Sequence, residues 1–122
     1  MALTVLVVDD YPDARLLLSY VLEDAGFRVL YADTGPQAIE MARGNRPDAI
    51  VMDLNLPGMS GIEATRRIRA DVTIAGVPIV AHTMSSKPLD AADLTLFDAF
   101  FSKPSPADSL VEVIQRAIQA RT

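Results

Sequence analysis

Five short apolar runs, each followed by a stretch of different character, constrain this chain more than anything else in it. The runs are Leu3–Val8, Phe27–Tyr31, Ala49–Met52, Val77–Ala81 and Phe100–Ser102. Short Val- and Ile-rich runs of this kind are what strands look like when helices cover both faces of their sheet. The intervening stretches mostly repeat apolar residues three and four apart. The first opens at Pro12 and Asp13, turns Leu17, Val21 and Leu22 to one side, and stops at Gly26. The second starts at Thr34, Gly35 and Pro36 and ends near Gly44 and Asn45, ahead of Pro47. The third carries Ile62, Thr65, Ile68 and Arg69. The last follows Ser105 and Pro106 and spaces Leu110, Val113, Ile114, Ala117 and Ile118 as one helical face, the strongest period in the chain. Strands and helices in strict alternation predict an α/β fold built on a doubly wound five-stranded parallel sheet.

Composition narrows what such a fold can do. The 122 residues suffice for one domain, expected to span 1–122. Lys and Arg number 11 against 16 Asp and Glu, for a net charge of -5, which argues against direct nucleic-acid binding. There is no cysteine, hence no disulfide and no thiolate metal site. No apolar run approaches the roughly 20 residues of a membrane span. The opening MALTVLVV lacks a basic lead-in and is cut short by Asp9, so no signal peptide is expected. A cytoplasmic domain is the resulting expectation. The sequence closes just after its fifth expected helix, and the expectation is either a domain that works alone or a piece of a larger chain.

The polar residues fall at the strand ends. Asp9 and Asp10 follow the first strand, Asp53 the third, Thr83 the fourth and Lys103 the fifth. In the flavodoxin-like strand order 2-1-3-4-5, all strand C-termini share one edge, and ligands bind where the order reverses, between strands 1 and 3. Three carboxylates therefore meet at one crevice with a hydroxyl and an ammonium. Neighbouring carboxylates repel by about 4 kcal/mol per pair at ~4 Å and an effective dielectric near 20. They stay ionised only around a cation. Lys103 supplies one positive charge. Oxygen-only ligation favours Mg2+ or Mn2+ for the rest.

VVDD, DLNLPGMSG, the IVAHT run ending in Thr83, and Lys103-Pro104, each at the end of a successive strand, resemble the receiver domain of two-component response regulators (CheY-like). The resemblance covers essentially the whole chain. It implies that Asp53 is a nucleophile taking a phosphoryl group from a phosphohistidine donor. It implies that Asp10, Asp53 and the carbonyl of Asn55 hold Mg2+, with Asp9 acting through water. Lys103 would neutralise phosphoryl charge, Thr83 would move inward to bind the new group, and Phe100 would be the switch aromatic. Asn55, Met84 and Ser85 stand at the rate-tuning positions. The partners implied are a sensor histidine kinase or histidine phosphotransfer protein and a downstream protein, with the chain a monomer or a phosphorylation-dependent homodimer.

Two departures carry expectations of their own. Met84 stands where the family usually has Ala or Gly, and should crowd the mouth of the site and slow both phosphotransfer and hydrolysis. The segment from Thr83 to Phe100 is short for the family and holds Pro88 and DAAD, so its helix, with Leu89, Ala92 and Leu96 as a weak stripe, should be short or displaced. His82, the only histidine, reads as structural or surface. Three rivals remain at this point. A flavin carrier would need a phosphate loop where DDYPDA stands; a phosphohydrolase would usually carry its nucleophile on the first strand; a pseudo-receiver would bind partners without phosphorylation.

Overall fold

The computed structural model describes residues 2–84, 89–103 and 107–121. The expectations resting on Ser85, Pro88, Pro104, Ser105 and Pro106 lie outside these residues. The elements run β1 Thr4–Val8, α1 Pro12–Asp24, β2 Arg28–Ala32, α2 Gly35–Asn45, β3 Ala49–Met52, α3 Gly61–Ala70, β4 Ile79–Thr83, α4 Ala91–Leu94, β5 Ala99–Ser102 and α5 Ala107–Ala120. All strand pairs are parallel, in the order β2-β1-β3-β4-β5. This is the doubly wound flavodoxin-like sheet expected.

β1 from Val5 to Val8 and the whole of β3 are apolar because each face of these strands meets a different core. Leu6, Val8, Ile50 and Met52 pack with Ala38, Ile39, Ala64 and Ile68 on the side of α2 and α3. Val5, Val7, Ala49 and Val51 pack with Leu18, Leu22, Leu110 and Ile114 on the side of α1 and α5. Each such Leu or Ile contributes roughly 1.5–3 kcal/mol when fully buried.

The helix starts follow local chemistry. Thr34 Oγ1 accepts from the Gln37 N–H at 3.2 Å and Ser60 Oγ from the Glu63 N–H at 3.1 Å, satisfying first-turn donors. Pro12 occupies the first turn of α1 without costing a helical bond.

Several boundaries and faces differ from expectation. β4 spans Ile79–Thr83 rather than Val77–Ala81, because Pro78 has no N–H to give and the strand pairs onward through His82↔Phe101 and Thr83↔Ser102. β2 starts at Arg28, one residue late, and extends to Ala32. Leu17 faces solvent at 67 % exposure while Leu18 and Leu22 face the core. The residue that leaves α2 in a left-handed conformation is Arg46, at φ 45°, rather than Gly44 or Asn45. The fourth helix is short, as expected, a single turn; of its expected stripe Leu89 and Leu96 pack against the core but Ala92 does not. Ala92 is exposed and Asp93 is the buried residue, 2.6 Å from the Arg66 guanidinium of α3.

Candidate functional site

β1 and β3 are adjacent, and their register pairs Val8 with Met52. The next residue on each strand is an aspartate, so Asp9 and Asp53 leave the sheet side by side. Their own amides still bond to it: Asp9 N–H to the Ala32 carbonyl at 3.1 Å, Asp53 N–H to the Val8 carbonyl at 2.9 Å. Strand register, rather than loop conformation, therefore places these two side chains. Asp10 follows on the same loop, and one carboxylate oxygen from each of Asp9, Asp10 and Asp53 lies within 4.8 Å of the other two.

Lys103, just past β5, reaches across. Its Nζ lies 2.5 Å from Asp9 Oδ2 and 3.3 Å from Asp53 Oδ2. The remaining oxygens of those two carboxylates accept backbone bonds, Asp9 Oδ1 from Tyr11 N–H and Asp53 Oδ1 from Asn55 N–H, each at 3.0 Å. Asp9 and Asp53 are buried, whereas Asp10 is exposed. Three carboxylates around one ammonium leave an excess of negative charge, all on oxygen. That donor set fits a hard divalent cation such as Mg2+.

Burial raises the Asp53 pKa and the charge of Asp9 raises it further, outweighing the Asn55 N–H and Lys103. Burial alone would lower the Lys103 pKa, but its bonds and attraction to Asp9 and Asp53 win and raise it. Acid and base thus stabilise each other, and the acids remain in excess.

His82 lines the same cavity of about 600 Å3, with Tyr11, Leu17 and Met84 around the acids and Lys103. Its ring packs 6.4 Å from that of Phe101. Burial, aided by the Lys103 ammonium and only partly opposed by Asp9, lowers its pKa from 6.5 to about 4. It is therefore neutral at pH 7. A histidine with a depressed native pKa opposes folding as the unfolded chain takes up the proton first. Wild type should lose about 3 kcal/mol as pH falls from 6.5 to about 4, relative to His82→Gln, with no difference in pH dependence above 6.5. Urea unfolding of both proteins across that range checks this.

Thr83 does not line the cavity that holds Asp53. It lines a second one, of about 660 Å3, with Asn55, Asp93, Leu94 and Phe100 among its walls. The Asn55 Nδ2 donates to Thr83 Oγ1 at 3.0 Å. Phe100 is 45 % exposed and meets Phe97 edge-on at 5.3 Å between centroids. Met84, 77 % exposed, stands at the lip of the first cavity. The structure thus gathers Asp9, Asp10, Asp53 and Lys103 in one place, and Asn55, Thr83 and Phe100 in the next. Sequence reasoning missed the apolar lip made by Tyr11 and Leu17. An exposed Leu inside the run LLL leaves no signal by which to find it.

Comparisons with known proteins agree with this geometry. The family model described as "Response regulator receiver domain" matches residues 5–115. Protein PilH of Pseudomonas aeruginosa is 29 % identical over 116 residues, which cover 93 % of this chain and 96 % of PilH. The DNA-binding response regulator MtrA of Mycolicibacterium smegmatis is 37 % identical over 94 % of this chain, which spans only 50 % of MtrA. The chain likewise spans about half the length of the other mycobacterial regulators it matches. Among solved structures, the receiver domain of sensor histidine kinase PA1611 from P. aeruginosa has a TM-score of 0.89 at 33 % identity, covering 98 % of this chain and 99 % of that one. That structure has a magnesium ion coordinated in its active site cleft. The chemotaxis protein CheY4 of Vibrio cholerae gives a TM-score of 0.88 at 29 % identity, covering 96 % of this chain and 99 % of that one.

Proposed function

Since this chain belongs to the response regulator receiver domain family, we propose that it takes a phosphoryl group from a phosphohistidine donor onto Asp53, with Mg2+. Receiver domains are signalling modules rather than enzymes in their own right, and they work with histidine kinases. Among the described residues, no helix is long and apolar enough to cross a membrane. The observation that carries the proposal is the meeting of Asp9, Asp10 and Asp53 within 4.8 Å, with Lys103 reaching in from the other side of the sheet.

The roles follow from the contacts. Asp53 Oδ attacks phosphorus; the new O–P bond forms as the P–N bond to the donor imidazole breaks, and the imidazole keeps the electron pair. Asp53 suits the task because its buried carboxylate is held by one amide and one ammonium and cannot swing away. Asp10, Asp53 and the carbonyl of Asn55 would hold Mg2+. Asp9, bonded to the Tyr11 N–H and to Lys103, would act at one remove through water. When bound, the metal neutralises charge on the phosphoryl oxygens. Lys103 does the same from within the chain, and such charge neutralisation is most of what a phosphoryl transfer requires of a protein. Leu17 shares the cavity lip with Tyr11, and these exposed side chains, with Leu16 and Tyr20 exposed on the same helix, would give the donor protein an apolar approach. The response is a shift of Thr83 and Phe100 and of the surface formed by α4, β5 and α5. A downstream protein, or a second phosphorylated copy, would read that surface.

The test is intact mass after incubation with Mg2+ and acetyl phosphate. Wild type gains one phosphoryl group and Asp53→Asn gains none. The same variant should be more stable at pH 7 by about 1 kcal/mol, because it removes one of several crowded buried carboxylates. The sign follows from the raised Asp53 pKa: its charge opposes folding above its native pKa, and that cost disappears as pH falls toward 3.8. A wild type that gains no mass refutes phosphoacceptance and leaves a partner-binding module.

Met84 modulates this chemistry from the lip of the cavity. Met84→Ala should raise both the rate of phosphorylation and the rate of hydrolysis several-fold in the same mass assay. Unchanged rates would show that the thioether does not restrict access.

A further inference from the structure

We propose that the Asn55 side chain is a latch on Thr83, holding the switch threonine in its resting position and setting how readily it leaves. Asn55 bonds both Asp53 and the Thr83 side chain. Its backbone N–H donates to Asp53 Oδ1 at 3.0 Å, and its side-chain amide donates to Thr83 Oγ1 at 3.0 Å. Thr83 stands at the end of β4, with its carbonyl accepting from Lys103 N–H at 3.0 Å, so its backbone is tied to the chain just past β5 while its side chain can turn. In the resting state the hydroxyl belongs to the cavity that also contains Phe100 and Leu94, not to the cavity of Asp53 and Lys103. A threonine that is to bond a phosphoryl group on Asp53 must therefore leave the Asn55 amide.

The inference rests on the phosphoacceptor reading for the event that releases the latch. Phosphorylation replaces the carboxylate that the Asn55 N–H now bonds, so the same residue feels the charge change at one end and lets go of Thr83 at the other. Asn55 is exposed, so its side chain contributes little to the core. It is a positioning residue. A resting equilibrium biased by one hydrogen bond is displaced by about fivefold when that bond is lost.

The experiment reads the resting state directly. Aromatic NMR of metal-free, unphosphorylated protein follows the Phe100 ring, which shares the cavity without touching the substituted side chain's partners in Asp53. Asn55→Ala should move the Phe100 signals toward the position they take after Mg2+ and acetyl phosphate, by about a fivefold change in the equilibrium. In a Thr83→Val background, which removes the hydroxyl, Asn55→Ala should move them no further. In Thr83→Ser, which keeps it, the response should return. An equal displacement with and without the hydroxyl, or no displacement at all, overturns the latch. The cycle is complete without phosphate. A protein that gains no mass but shows the hydroxyl-dependent shift retains the latch and loses the phosphoacceptor assignment; the reverse result loses the latch alone.

Discussion

Gly61→Ala should cost this domain about 3 kcal/mol or more, in urea unfolding at pH 7. Gly61 opens α3 directly on the backbone that carries Asp53. A Cβ there would come within 2.1 Å of the Asp53 carbonyl oxygen and 2.8 Å of Leu54 Cα, and both obstacles are main chain. The Gly61 N–H also bonds the Leu54 carbonyl at 3.0 Å, so the helix cannot back away without giving up that bond. Either α3 lifts from the sheet or β3 is pushed at its end, and each route moves Asp53 relative to Asp9. The variant should accordingly take up phosphate from acetyl phosphate more slowly even where it is folded. Gly35→Ala is the control. Its Cβ would meet only the flexible Met59 side chain, at 3.0 Å, and the change should stay within about 1 kcal/mol of wild type. A Gly61→Ala protein with the wild-type urea midpoint and phosphorylation rate would show that this close approach is relaxed at no expense.

The sequence already contained the register that makes the site. Runs that end VVDD and IVMD can only bring Asp9 and Asp53 together if their strands are parallel neighbours, and alternation with helices demands that they be parallel. Lys103 was legible for the same reason: it follows the last strand and has a stem long enough to cross a neighbouring one. What failed to show lay where residues of one kind adjoin. Three leucines in a row, Leu16 to Leu18, sweep more than half of a helix circumference, so the pattern does not say which one enters the core; Leu18 does, with Leu22. Ser19 is buried between them, its hydroxyl satisfied by the Leu16 carbonyl at 2.7 Å. The expected strand Val77–Ala81 stopped short of His82 and Thr83, yet they remain in β4 because Phe101 and Ser102 pair with them. The same physics explains the fourth helix. Asp90 accepts from the Asp93 N–H at 2.9 Å and Asp93 turns inward to Arg66, so the two acids of DAAD are a cap and a tether rather than a solvated face. The Asn55–Thr83 bond joins residues 28 apart, one on the loop after β3 and one at the end of β4, and no local pattern encodes it.

Lys103→Met should be the second costly change, and one that conditions can reverse. Methionine keeps the length and apolar stem of lysine but leaves Asp9 and Asp53 without their ammonium. Both carboxylates are buried, 4 % and 7 % exposed, so water cannot take over. Removing one partner of a buried ion pair costs about 3 kcal/mol or more, and that is the loss expected at pH 7 without divalent ions. The Lys103 pKa is raised, so its contribution is fully present below 10.5 and fades only as pH climbs through its native value; neutral pH is well inside the stable window. In the variant the sign inverts. The carboxylates carry the excess charge, and Asp53, whose pKa burial already raises, takes up a proton as the pH falls, which should restore stability. Mg2+ should restore it too, because on the proposed function Asp10 and Asp53 would hold that cation, and its charge would offset the one Lys103 supplied. Wild type should gain less from Mg2+ than the variant does, since it begins with one positive charge in the pocket. Thermal unfolding with and without Mg2+ at pH 5 and pH 7 separates the cases. If Mg2+ stabilises both proteins equally, Lys103 and the metal do not answer to the same carboxylates, and the shared pocket on which the proposed phosphoryl transfer depends is not what these side chains form.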